Sequence, residues 1–211
     1  MAEPLVVAID GPASAGKGTL ARRLALVLGL PHLDTGLLYR ATGRKVLDAG
    51  GEPADPLAAE RAALALTSGD LGRGDLRGPE MDRASSLVAA VPAVRAALLA
   101  FQRRVAAGGA VLDGRDIGTV VWPGAQVKLF VTADVDARAR RRWLEMAARG
   151  QGAREEEVAA DMRARDAADS GRSLAPLRPA SDAVLLDTTA LDADAAFARA
   201  LAIVRSRLQS T

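Results

Sequence analysis

Lys17 stands inside Gly11-Pro12-Ala13-Ser14-Ala15-Gly16-Lys17-Gly18-Thr19, directly after the apolar run Leu5-Val6-Val7-Ala8-Ile9 and before an amphipathic stretch that begins at Leu20. A strand, a glycine-rich turn and a helix start, in that order, aim successive backbone N–H groups into one concavity at a helix N-terminus. Phosphate oxygens suit that concavity, and the pattern sets one lysine among them. Only three of the 28 basic residues are lysine, so composition alone would rarely put one here. The segment is read as a nucleoside triphosphate site, the bland alternative being a helix cap that happens to be rich in glycine. Relative to the strict pattern G-x-x-x-x-G-K-[ST], Gly18 follows the lysine and the hydroxyl arrives one place later, at Thr19. No direct metal ligand is therefore assigned; Thr19 and Asp113 are placed near Mg²⁺, through water.

A second chemical segment follows the apolar run Ala110-Val111-Leu112. Asp113 ends that run as a carboxylate does when it lies near the Mg²⁺ of a nucleotide, and a turn-capping aspartate is the alternative. Arg115 and Asp116 can enter the same cleft, and Gly114 and Gly118 let a ligand approach the backbone. From Ala133 to Arg172 there are nine arginines, at 138, 140, 141, 142, 149, 154, 163, 165 and 172. Taken singly, most read as a solvated helix face with Glu145 and Glu155 to Glu157 as partners. As a run, with a turn expected over 150–157, they read as a helical hairpin lid able to close charge over a triphosphate. The lone histidine, His32, reads as structural. With no plausible general base in view, a phosphate acceptor is favoured over a hydroxyl acceptor.

These groups need elements to hold them. Five apolar segments read as buried strands: Leu5 to Asp10, His32 to Asp34, Ala110 to Asp113, Val127 to Thr132 and Ala183 to Asp187. Helical spacing recurs at Leu20, Leu24, Val27 and Leu28, at Val94, Leu98, Phe101 and Val105, and at Phe197, Leu201, Val204 and Leu208. Alternating strands and helices predict an α/β fold with a five-stranded parallel sheet, helices on both faces, and a ligand rim at the carboxyl ends of the strands. Prolines and glycines break up residues 50–80 around one short helix at Leu57 to Leu66, which reads as a flap or reduced insertion.

A chain of 211 residues is large enough for one α/β domain with a lid. It has no cysteine, which excludes disulfides and thiolate metal sites, and no apolar run near the ~20 residues of a membrane span. A soluble, cytoplasmic monomer without a membrane or nucleic-acid partner is expected. The net charge of +2 is too small to argue for nucleic-acid binding, and only six aromatic residues are present for base stacking.

The loop, together with Leu33-Asp34-Thr35-Gly36-Leu37-Leu38-Tyr39-Arg40, resembles bacterial cytidylate kinases, the nucleoside monophosphate kinases for CMP and dCMP. More selective are Ser85-Ser86-Leu87-Val88-Ala89-Ala90 leading to Val94-Arg95, the run from Asp113 to Pro123, the run from Arg163 to Leu177, and Ala180-Ser181-Asp182 to Thr189. The resemblance runs nearly end to end and implies a P-loop kinase using Mg·ATP. The core would be 1–49, 81–133 and 173–211, with a shortened monophosphate-binding insertion at about 50–80 and a lid at about 134–172. It implies that Ser86, Arg95 and Asp116 read cytosine, that Asp169 and Arg165 meet the ribose with Thr35 beside the sugar and phosphate, and that Arg40, Arg115 and Arg172 hold the acceptor phosphate. Lys17 would bridge to the transferring group and Asp113 would organise the metal. A carboxylate suits the cytosine amino group and would be left unpaired against uracil. The insertion is shorter than is common in the family, and Thr35 stands where serine is common. Adenylate and shikimate kinases of the same fold are the nearby alternatives. A GTP-binding switch would need an N-K-x-D motif, and this chain has no asparagine.

Overall fold

The computed structural model describes residues 4–209; the outermost residues of the expected 1–211 span lie outside it. The elements run β1 (Val6–Asp10), α1 (Lys17–Leu28), β2 (His32–Asp34), α2 (Thr35–Asp48), α3 (Pro56–Leu64), α4 (Ser68–Leu71), α5 (Pro79–Ala89), α6 (Pro92–Ala106), β3 (Ala110–Gly114), a π-helical turn (Ile117–Val121), β4 (Val127–Thr132), α7 (Val135–Ala147), α8 (Glu155–Ser170), β5 (Val184–Asp187) and α9 (Ala193–Gln209). Two compact units result: residues up to Leu33 with those from Ala106 onward, and Asp34–Val105.

The first unit is built on a sheet of order β2-β3-β1-β4-β5. β1 lies between β3 and β4, and β4 beside β5, all parallel. All five residues of β1 and of β3 are buried, which is why these strands read as unbroken apolar runs. β4 alternates: Val127, Leu129 and Val131 enter the core with Val7, Ile9 and Val111, where Leu20 and Leu24 of α1 and Ala200 and Val204 of α9 pack. All five strands form within a residue of their expected bounds. Two positions in the helical patterns do not join the core, since Val27 is 52% and Leu208 38% exposed.

A smaller cluster of Ala139, Met146, Val158, Ala159 and Met162 joins α7 to α8 as the expected hairpin, with Ala13 of the glycine loop packed on it. The turn is shorter than 150–157, because α8 starts at Glu155. Three glutamates in the first turn favour the positive end of a helix dipole, so the acidic run lies inside the helix.

In the second unit, Leu38 and Val46 of α2, Ala59, Ala62 and Ala63 of α3, and Val88, Val94 and Leu98 of α5 and α6 share one core. α2 and α5 cross closely at Gly43, where a Cβ would sit 2.9 Å from that of Ala84. The segment read as a flap with one helix contains two, and no strand. α3 is capped by Asp55, whose carboxylate accepts the Leu57 N–H at 2.9 Å, and α4 by a reciprocal Thr67/Asp70 box. Asp70 and Arg73 tie the segment back to Lys45 and Asp48 of α2.

Candidate active site

β1 delivers its last residue, Asp10, to the sheet edge, and the chain must then turn sharply. Gly11 has φ 145°, and a Cβ there would lie 1.9 Å from the Val131 carbonyl oxygen, so only glycine passes between β1 and β4. Ser14 (φ 57°) and Gly16 (φ 91°) are left-handed, and α1 begins at Lys17. Gly16 offers no side-chain cap and the first turn of α1 holds no acid, which leaves the positive end of the helix to an anion. Lys17 is buried, with Nζ donating to the Pro12 carbonyl at 2.6 Å. Arg138 Nη1 reaches the Ala13 carbonyl at 3.3 Å, and the Thr188 hydroxyl donates to that of Ala15 at 3.1 Å. The geometry is that of a phosphate-binding loop.

Asp113 is buried at the end of β3. Its Oδ1 lies 2.6 Å from His32 Nε2, and its Oδ2 is 3.8 Å from where a Cβ on Gly18 would be. Gly18 therefore occupies the helix position next to this carboxylate. Thr19 is exposed, its hydroxyl 3.5 Å from Arg22 Nη2. His32, read from the sequence as structural, lies against this carboxylate.

Asp169, on α8, is the hub of the arginines. Arg115 Nε meets its Oδ2 at 2.8 Å, and Arg172 Nη2 bonds its Oδ1. Burial pushes the Asp169 carboxyl up, but the charges of Arg115, Arg172 and Arg165 outweigh burial and hold it below the usual carboxylate range. The converse holds for Arg115: burial disfavours its charge, and Asp169 more than restores it. The residue that the resemblance links to ribose thus also fixes two of the arginines linked to the acceptor phosphate. Four others of the arginine wall have partners elsewhere. Arg138 is buried on Asp166 (2.6 Å), and Arg141 donates to the Thr188 carbonyl at 2.5 Å. Arg163 and Arg154 pair on the surface with Asp136 and Glu157.

The second unit carries Thr35, Arg40, Ser86 and Arg95. Thr35 is buried at the start of α2. Arg40 Nη2 meets Asp82 Oδ1 at 2.5 Å while its Nη1 donates to the Leu76 carbonyl at 3.2 Å. The Ser86 hydroxyl donates to the Asp82 carbonyl at 3.1 Å, so one residue of α5, which the sequence did not single out, gathers both. Arg95 is 8% exposed, its guanidinium 5.6 Å from the centre of the Tyr39 ring.

Asp10, at the end of β1, is a buried carboxylate whose ionisation is disfavoured. Burial raises it to about 6, against the two backbone N–H bonds it accepts from Gly118 and Ile117 and with a further push from the Asp116 charge. Between the unfolded value of 3.8 and about 6 the folded chain keeps a proton that the unfolded chain has lost. Stability from this group therefore falls as pH rises through that window, by about 3 kcal/mol at most, and is flat above it. Asp169 acts oppositely, its contribution being present above pH ~4 and lost below. Urea unfolding of the wild type and of Asp10→Asn at pH 4.5 and 7 should show the difference between the two shifting in favour of the variant as pH rises; a constant difference would refute the assignment.

Among the described residues, no group of three or more His, Asp or Glu side chains is placed to hold a metal ion, and no single helix is long and apolar enough to cross a membrane. The family model described as cytidylate kinase matches residues 7–206. The cytidylate kinase of Granulibacter bethesdensis is 64% identical over 204 residues, spanning 96% of this chain and 98% of its own length. That of Acidiphilium cryptum is 60% identical over 209 residues, 99% of each chain. Among solved structures, TT1252 from Thermus thermophilus is 27% identical with a TM-score of 0.51, over 98% of this chain and 99% of that one. An uncharacterized protein from Eubacterium ventriosum, at 14% identity and TM-score 0.56 over 96% of this chain and 99% of its own, shares the fold alone. With a phosphate loop at the end of β1, a buried carboxylate at the end of β3 and a match along nearly its whole length, the chain belongs to the cytidylate kinase family.

Proposed function

We propose that this protein transfers the γ-phosphoryl group of ATP to the phosphate of CMP or dCMP. An acceptor phosphate oxygen forms a bond to the γ-phosphorus as the bond to the β-phosphate oxygen breaks, giving ADP and CDP or dCDP with no covalent enzyme intermediate. Supporting this most directly is one arrangement within the first unit: the glycine loop with buried Lys17, and two arginines held together on Asp169. Two polyanions repel one another, and fixed positive groups in a dry site offset that repulsion without reorganising during the reaction.

In this reading residues Gly11 to Thr19 cradle the donor phosphates and Lys17 follows the transferring group. Arg40, Arg115 and Arg172 grip the acceptor phosphate, and Thr35, Arg165 and Asp169 serve the sugar side. Ser86 and Arg95 donate to the cytosine O2 and N3, and Asp116 accepts from its amino group. Mg²⁺ fits as a passenger on the triphosphate: Asp113 beside Gly18 supplies a carboxylate, and a cation of this kind takes its remaining ligands from phosphates and water. When bound, it neutralises charge on the β- and γ-phosphates.

A coupled ADP-release assay with ATP and Mg²⁺ across CMP, dCMP, UMP and AMP tests the reading. CMP and dCMP should turn over far faster than UMP or AMP. Comparable rates with AMP would sink the cytidylate assignment, and no turnover with any monophosphate would sink the phosphotransferase class. Asp116→Asn should narrow the CMP-to-UMP preference by about tenfold or more, because an amide can satisfy either base; an unchanged ratio would remove Asp116 from base reading.

A further inference from the structure

Asp10 is not among the groups assigned to either nucleotide, yet it is a fully desolvated carboxylate at the tip of the central strand. It lies opposite Gly114 in the β1–β3 register and is 4% exposed. Its Oδ1 accepts the Ile117 N–H at 2.7 Å and its Oδ2 the Gly118 N–H at 2.8 Å. These are the first two amides of the π-helical turn, whose cap is Asp116. The Asp116 carbonyl in turn accepts from the Val120 and Val121 N–H groups, at 2.9 and 3.1 Å. The backbone of Asp116 is therefore pinned on both sides: its carbonyl by the far end of the turn, and the two amides that follow it by Asp10.

Two features make this more than a buried cap. The two N–H groups each meet a separate oxygen, an arrangement that a carboxylate supplies and an amide, with one acceptor oxygen, does not. Gly118 is also confined, since a Cβ there would stand 3.2 Å from Lys128 Cδ and 3.4 Å from Asp10 Oδ2, so the turn is seated against the carboxylate. The arrangement is also unfavourable for stability at neutral pH, because burial disfavours ionisation of Asp10 and the nearby Asp116 adds to that, against the two N–H bonds and the charge of Lys17. A buried carboxylate held by two backbone amides at the edge of a binding site is a common mark of a functional constraint.

We infer that Asp10 is a positioning residue for base selection: it sets the backbone from which Asp116 reaches the acceptor base, and so determines cytosine preference without touching the nucleotide. The inference rests on Asp116 being the base-reading carboxylate. Asp10 also directly precedes Gly11, so the residue that anchors the base-reading turn is the neighbour in sequence of the donor loop.

The test is a double-mutant cycle in the full chain, with kcat/KM for CMP and for UMP and the KM for ATP measured for Asp10→Asn, Asp116→Asn and both together. Asp10→Asn should lower the CMP-to-UMP ratio by about tenfold, and the double variant should be no less selective than Asp116→Asn alone, with the KM for ATP within about threefold of wild type. Faster hydrogen exchange at the Ile117 and Gly118 amides should accompany the loss. An unchanged ratio in Asp10→Asn, or additive losses in the double variant, would overturn the inference while leaving the base reading intact. An unchanged ratio in Asp116→Asn would instead overturn that reading and the inference with it. Should Asp10→Asn fail to fold, Gly118→Ala sets a methyl group 3.4 Å from Asp10 Oδ2 and against Lys128; faster exchange of the Ile117 and Gly118 amides with wild-type selectivity in that variant would equally overturn the inference.

Discussion

Lys17→Ala is expected to lower kcat by about 10²- to 10³-fold at saturating ATP and CMP, the usual effect of deleting one preorganised group that stabilises developing charge. Lys17 is the first residue of α1, it is 6% exposed, and its Nζ is held on the Pro12 carbonyl of the same loop. An ammonium in that position follows a migrating phosphoryl group without large rearrangement, and no other lysine can replace it, since Lys45 and Lys128 pair with Asp70 and Asp182. Stability should change little: helix propensity favours alanine, and loss of the hydrogen bond to the Pro12 carbonyl costs about 1 kcal/mol. Lys17→Arg should recover only a small part of the rate, because a planar fork does not substitute for a compact charge. Single-turnover kinetics with thermal unfolding monitored by circular dichroism separates the two effects. A kcat within tenfold of wild type in a folded Lys17→Ala protein would show that the lysine binds the donor without serving the transfer.

The second large effect is thermodynamic as well as catalytic. Asp169→Ala should destabilise the protein by about 3 kcal/mol, because it leaves Arg115 and Arg172 partly buried without their shared counter-charge. The carboxylate is 4% exposed, and the two arginines 20% and 13%. Those arginines would then repel each other, and kcat/KM for CMP should fall with the folded fraction held at unity. Asp169→Asn keeps one acceptor and should lose less stability. Urea titration at pH 7 measures the first quantity. At pH 3, below the ordinary carboxylate value, the unfolded chain has taken up a proton that the folded carboxylate resists, so the gap between wild type and Asp169→Ala should shrink. A loss below 1 kcal/mol at pH 7 would mean that solvent, rather than Asp169, supports the two guanidinium groups.

Much of this architecture was legible residue by residue. Val6 to Asp10, Ala110 to Gly114 and Val127 to Thr132 announce themselves because strands covered by helices on both faces are apolar throughout or on alternate residues. Lys17 was legible because its chemistry lies in a local pattern. Asp10 was visible only as one polar residue on the rim, since its partners are backbone amides 107 and 108 residues away and carry no side-chain signal. Asp82 was missed for a similar reason: it gathers Arg40 from 42 residues away, through packing of α2 on α5 at Gly43. Arg138 and Arg141 were legible as charge and misleading as function, because carbonyl groups that need donors appear in no sequence pattern. The Arg165/Asp169 spacing on α8 was one signal that could have marked Asp169 as an arginine partner, since residues four apart share a helix face.

The bonds from Arg138 to the Ala13 carbonyl and from Thr188 to the Ala15 carbonyl have a consequence for the glycine loop itself. A trans peptide unit is planar, with its C=O and N–H on opposite sides, so tethering a carbonyl also settles the direction of the next residue's amide hydrogen. Holding the Ala13 oxygen toward α7 turns the Ser14 N–H the other way, and holding the Ala15 oxygen toward the residue that follows β5 does the same for Gly16. Two peptide planes that would otherwise be free to flip are thereby oriented before any anion arrives. The loop recognises phosphate with amides whose direction is set by side chains more than a hundred residues downstream, and less of the binding free energy is lost to ordering them.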